Sequence, residues 1–175
     1  MLKIIGIVII VLVAAVLVLA AFRPDTFHVQ REASIKAPPD KIFALVNDFS
    51  RWGAWSPWEK KDPAMKRTFS ATTSGKGATY AWEGNKDVGQ GRMEIAESVP
   101  PSKIVLNLDF VKPFEAHNLV VFTLEPKGDA TNVTWAMQGD SPYFAKIIQL
   151  FVNMDKMVGA DFETGLANLK AAAEQ

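Results

Sequence analysis

An α+β chain is predicted: a meander of antiparallel strands closed by a long C-terminal helix, preceded by an apolar helix long enough to cross a membrane. Three observations carry this. The run from Ile4 to Phe22 holds no charged or polar side chain. Six segments between Met65 and Gln138 alternate or run apolar between short turns, and from Ser141 to Ala173 the apolar residues return to helical spacing.

At about 1.5 Å per residue, a helical run of roughly 19 residues covers close to the ~30 Å hydrocarbon core. A helix also satisfies its own backbone there. The alternative is a cleaved signal peptide, with Val18-Leu19-Ala20 at the cleavage site; the length and Ile/Val content of the run favour a retained anchor. Lys3 precedes the run and Arg23, Arg31, Lys36 and Lys41 follow it, so charge does not fix the orientation. The expectation is a single span over Ile4 to Phe22, with Thr26 onward outside the cytoplasm. Residues 1–25 are read as anchor and short linker, and residues 26–175 as one domain. Arg23-Pro24-Asp25 can extend only about 10 Å, which holds the domain against the bilayer surface.

In Thr26–Lys36, Phe27, Val29, Ala33 and Ile35 alternate with His28, Gln30, Glu32 and Ser34, as in a half-buried strand. Ala37-Pro38-Pro39-Asp40 stops that strand and opens a helix carrying Ile42, Phe43, Val46 and Phe49 at helical spacing. A Trp-rich loop, Trp52 to Trp58, follows. Strands are then expected at Met65–Ala71, Thr79–Glu83, Gly91–Ser98, Lys103–Phe110, Ala116–Leu124 and Asn132–Gln138, separated by Gly-, Pro- and Asp-containing turns. Such short turns require antiparallel neighbours, about seven strands with the first. In the last helix Met154, Val158, Phe162, Gly165 and Leu169 share one face, opposite Lys156, Glu163 and Lys170. Gly165 at its centre implies close approach to the sheet, or room beneath the helix.

Composition narrows the function. Lys+Arg and Asp+Glu stand at 19 each, so no basic excess exists to hold phosphates and nucleic acid is a poor partner. The absence of cysteine removes disulfides, thiolate chemistry and lipoprotein acylation. Five Trp and eleven Phe imply a broad apolar interior.

The order of elements, and Ile35-Lys36-Ala37-Pro38-Pro39-Asp40-Lys41-Ile42-Phe43 through Phe49, Trp52 and Trp55-Ser56-Pro57-Trp58, resemble the opening of the START-like (SRPBCC) superfamily. Tyr80-Ala81-Trp82-Glu83-Gly84, Gly89-Gln90-Gly91-Arg92-Met93-Glu94-Ile95, and Asn153-Met154-Asp155-Lys156-Met157-Val158-Gly159 to Leu169 are similar to the polyketide cyclase/dehydrase-like group, which includes small membrane-anchored bacterial proteins. The likeness runs from Thr26 to the C-terminus. It implies a helix-grip fold, a curved antiparallel sheet wrapped round the long helix with a cavity between. It also implies functions ranging from lipid carriage to cyclisation.

Inward phase along the strands and the last helix predicts a cavity lined by Trp82, Met93, Phe110, Phe122, Trp135, Met154, Met157 and Phe162. A solid core is the alternative for the same residues. Arg31 and Asn118 fall in inward phase and are candidate polar contacts to a ligand, or general acid/base helpers. Trp52 and Trp55 are expected to plug one end of the core, and Trp58, beside Glu59-Lys60-Lys61-Asp62, to be exposed. His28 and His117 sit on the polar phase of their strands, out of reach of an interior substrate. No metal-ligand spacing, phosphate loop, dinucleotide glycines or nucleophile elbow is present, so no catalytic residue, metal or cofactor is assigned. The expected function is non-catalytic binding of a hydrophobic or lipid-like molecule by a membrane-tethered module, with no protein partner assigned. A cyclase/dehydratase acting in the same cavity and a structural or partner-binding domain with a filled core are the alternatives.

Overall fold

Leu2–Ala21 forms helix α1, and Thr26–Ile35 leaves it as strand β1. The computed structural model describes the backbone of residues 1–175 and every side chain except that of residue 2. Helix α2 (Pro39–Val46), a 3₁₀ turn (Phe49–Ala54) and helix α3 (Pro57–Lys61) follow β1. Strands β2 (Lys66–Phe69), β3 (Thr79–Glu83), β4 (Gln90–Val99), β5 (Lys103–Lys112), β6 (Ala116–Lys127) and β7 (Ala130–Asp140) make the meander. Helices α4 (Tyr143–Ile148) and α5 (Met154–Ala173) end the chain. All seven strands form one antiparallel sheet in the order β1-β7-β6-β5-β4-β3-β2. The sheet curves round α5, giving the helix-grip architecture expected.

Side-chain alternation decides which face is buried. On β6, Asn118, Val120, Phe122 and Leu124 point into the core while His117, Leu119 and Val121 face away; β7 repeats this with Thr131, Val133, Trp135 and Met137 inward. Pro39 opens α2 at a position where its missing N–H costs nothing, and Ile42, Phe43 and Val46 are buried beneath it.

Two parts differ from the sequence reading. The Trp-rich loop is the 3₁₀ turn followed by α3, with Asp48 accepting from the Ser50 N–H to cap the turn. The final helical stretch is two helices, because Asn153 caps α5 by accepting from the Lys156 N–H at 2.9 Å and so starts a new helix.

α5 lies against the sheet at two glycines. A Cβ on Gly165 would stand 2.6 Å from Cζ3 of Trp135 and 3.1 Å from Cδ of Pro57. A Cβ on Gly159 would collide with the Arg31 guanidinium. Of the two meanings of Gly165, the structure selects close approach.

The domain has two ends. The register Thr26↔Asp140 places the start of β1 and the end of β7 at the α1 end, and the Ser141 N–H donates to the Asp25 carbonyl there at 2.6 Å. The turn between β5 and β6 lies at the same end. At the far end Glu174, just past α5, accepts from the Lys36 N–H at 2.7 Å.

Candidate functional site

The concave face changes character along its length. Toward the far end Ile95, Ile104, Leu106, Phe122, Val133 and Leu169 are all 0 % exposed. Toward the α1 end a band of neighbours, Trp82, Met93, Leu108, Asn118 and Met137, keeps 7 to 9 % of its surface. Phe110, Phe27 and Val158 are only partly buried around it. These residues adjoin across the ladder, with Met93 opposite Leu108, Leu108 opposite Asn118, and Val120 opposite Met137.

Aromatic rings fill the space under the middle of α5. Phe162 stacks on Trp135 at 4.1 Å and 10°. Trp135 also meets Phe122 at 4.8 Å, Trp55 at 5.6 Å and Trp58 at 5.8 Å. Trp58 is half-buried in this cluster, correcting the expectation of an exposed ring: of its hydrophilic neighbours only Lys60 and Lys61 are exposed, and its own side chain turns under α5 against Phe162. Trp52 and Trp55 close the core as expected, each buried, with indole N–H groups donating to the carbonyls of Val46 and Leu45. Met157 is 54 % exposed, on the outer side of α5, and does not face the sheet. The helical period carries it away from the Met154–Val158–Phe162 stripe.

Two shallow depressions of about 340 and 320 Å³ open on the outside of the domain. One lies along Thr26–His28, His117, Leu119 and Gln138–Asp140; the other lies between Leu45, Ala54, Lys60 and the end of α5. Neither lies between the sheet and α5.

Polar groups in the interior are few, and one is unmatched. The Trp82 indole donates to the Val88 carbonyl at 3.0 Å. The indole N–H of Trp135 is buried and has no hydrogen-bond partner. Leaving a buried donor unmade costs about 1–3 kcal/mol.

Arg31, in inward phase as expected, does not reach into the core. Its Nε donates to Glu163 at 2.7 Å and its Nη1 to Asp155 at 2.9 Å, while Nη2 donates to the Asp155 carbonyl at 3.0 Å. These bonds hold its proton more firmly than usual and keep the Asp155 carboxyl below its ordinary value. The result is a polar clamp between β1 and the first turns of α5. Asn118 is buried, with its carboxamide over Gly139. His28 and His117 are exposed on the outer face, where His117 Nδ1 pairs with Asp109 at 2.7 Å and is raised in pKa by that bond.

A further cluster was not legible in the sequence. Glu59 of α3 accepts from the Tyr80 hydroxyl at 2.5 Å and from Arg67 Nε at 2.6 Å, and burial together with Glu59 raises the Tyr80 pKa. It ties α3 to β2 and β3 from residues 8 and 21 positions apart, with no motif to mark them. Among the described residues no three His, Cys, Asp or Glu side chains converge as a metal site.

The family described as polyketide cyclase/dehydrase and lipid transport matches residues 26–174. No curated protein sequence matches the chain. Among solved structures, protein CV1439 from Chromobacterium violaceum is similar at 15% identity and TM-score 0.60, over 87% of this chain and 99% of its own. The Aha1 dimer from Colwellia psychrerythraea gives 18% identity and TM-score 0.56, over 85% and 96%. Major latex-like protein 151 from Panax ginseng gives 12% and 0.61, over 87% and 100%. At these identities the neighbours establish the fold alone. The chain belongs to the polyketide cyclase/dehydrase and lipid transport family.

Proposed function

We propose that this family member is a membrane-tethered, non-catalytic module that binds a hydrophobic or lipid-like small molecule on the α1 end of its concave face. The observation that carries the reading is the contrast along that face. The far end is sealed, whereas Trp82, Met93, Leu108 and Met137 retain solvent contact beside partly buried Phe110 and half-buried Met154. An apolar guest there would remove the remaining apolar surface from water, at about 25 cal/mol per Å². Deeper insertion would part Phe162 from Trp135 and offer the unmatched indole N–H to an acceptor on the guest. Phe122 would then form the floor.

Tethering is supported by the span Lys3–Ala21, which is long and apolar enough to cross a membrane and stands almost wholly clear of the domain. That exposure argues against a core helix. The domain is placed outside the cytoplasm by this reading, and protease added to intact spheroplasts should remove it. Against a cyclase, Arg31 is already neutralised by Asp155 and Glu163, and both histidines lie on the outer face. The stacked Trp135–Phe162 pair favours one second reading, a structural domain with a filled core.

Native mass spectrometry of the full chain, extracted from its membranes in mild detergent, separates them. Binding gives a discrete adduct of lipid-like mass on the wild type, diminished in Leu108→Trp. A folded wild type free of adduct, with and without added phospholipid, contradicts binding and leaves the structural domain.

A further inference from the structure

α4 is built inside out. An amphipathic helix on a water-exposed surface turns its apolar stripe inward and its charges outward. Here Lys146 is 7 % exposed and paired with Asp25, while Phe144 is 60 % exposed and Phe151, one turn beyond the helix, 75 %. Ile147 and Ile148 are only half-buried between them. The β5–β6 turn continues the apolar surface, with Phe114 63 % exposed and its ring 5.9 Å from that of Phe144.

The position of α4 identifies the covering medium. The helix packs on the last turns of α1, and the Tyr143 hydroxyl donates to the Leu17 carbonyl at 2.7 Å. Leu17 lies four residues before Ala21, the end of α1. At about 1.5 Å per residue, Tyr143 therefore reaches some 6 Å below the domain-side end of the apolar helix. A tyrosine at that depth has its apolar ring in the boundary layer where aromatic residues concentrate. Arg23 and Lys112, both exposed, stand at the same end, suited to headgroup contact.

We propose that α4 and the β5–β6 turn form a bilayer-inserting face, seated beside α1 at the boundary between headgroups and acyl chains. The proposal rests on the tethered reading and deepens it: the less sealed end of the concave face meets lipid, so the guest is a molecule that resides in the bilayer. Trp52 and Trp55 are buried in the core and take no part in this face.

The chain has no cysteine, which permits single-cysteine labelling of the full protein. The variants Leu12→Cys, Phe144→Cys, Phe151→Cys and Asp129→Cys would each carry an environment-sensitive nitrobenzoxadiazole dye. They would be reconstituted in phosphatidylcholine/phosphatidylglycerol vesicles with and without doxyl-labelled lipid. The labels at 12, 144 and 151 should be quenched at least twofold by the doxyl lipid, and that at 129, in the distant β6–β7 turn, should be unaffected. Quenching at 12 alone overturns the inserting face and leaves the tether intact. Loss of quenching at 12 as well overturns the tether itself. Labels at 144 and 151 that are shielded from water yet insensitive to doxyl lipid would assign the face to a second protein chain and also overturn the proposal.

Discussion

The two halves of α5 rest on the same sheet by different means. Its C-terminal half is fixed by apolar burial: Gly165, Leu166, Leu169 and Ala173 all lie against the core. Its first two turns, ahead of buried Phe162, hold only half-buried Met154 and Val158 and rely on the Arg31 clamp to Asp155 and Glu163. The clamp's carboxylates are more than half exposed, and solvent-screened pairs of that kind contribute little to stability. One helix is thus fixed by burial at the far end and by the clamp at the α1 end. A fold can therefore keep a rigid scaffold and a releasable edge within a single element, with stability and access assigned to different turns.

Deleting apolar bulk should expose this asymmetry most strongly. Phe162→Ala and Leu169→Ala are expected to cost about 3–5 and 2–5 kcal/mol in urea unfolding of the full chain in mild detergent. Met154→Ala should cost about 1 kcal/mol or less, because a half-buried side chain forfeits only part of its transfer free energy. Equal losses at 154 and 169 would abolish the distinction.

Overpacking gives the next effect. Gly165→Leu drives a side chain into Trp135 and Pro57, and is expected to destabilise by about 1–3 kcal/mol. The three atoms nearest a Cβ at Gly159 all belong to the guanidinium end of Arg31, which can swing away from an alanine there. A gain in helix propensity of up to about 1 kcal/mol should offset the displaced clamp, leaving overall stability nearly unchanged while amide exchange in the first turns of α5 quickens.

Protonation gives the smallest effect, with a definite sign. Arg31 lowers the Asp155 pKa below its ordinary 3.8, so the clamp's contribution is complete above that value and is lost as pH falls through the folded pKa. Carboxyl carbon NMR should show Asp155 titrating below 3.8 in the wild type and returning toward it in Arg31→Met. An unchanged midpoint would show that the clamp does not form.

Period-two alternation and turn residues made the sheet readable, because each strand buries one face and a slip of one residue would reverse it. The division between α4 and α5 was harder to see. Phe144, Ile147, Ile148 and Phe151 continue the helical stripe into Met154, and the period says nothing of whether that stripe meets protein or the outside. Asn153 was the available stop-and-start signal. Inward phase correctly grouped Trp82, Met93, Phe122, Trp135 and Phe162 on the interior side, but phase cannot tell a lined space from a filled one. That depends on ring stacking such as Trp135 on Phe162. Met157 lies just off the buried stripe, where a 3.6-residue period resolves sides poorly. The clamp joins residues 124 and 132 positions apart, beyond any local pattern.

Hydrogen exchange along α5, read by mass spectrometry on the full chain in lipid nanodiscs, tests the central claim most directly. The account predicts that amides of Met154–Ala160 exchange at least about tenfold faster than those of Leu166–Ala173, as a separately opening unit of lower local stability. Uniform protection from Met154 to Ala173 would contradict it. The sheet and α5 would then form one closed core, with no edge through which a hydrophobic guest is admitted.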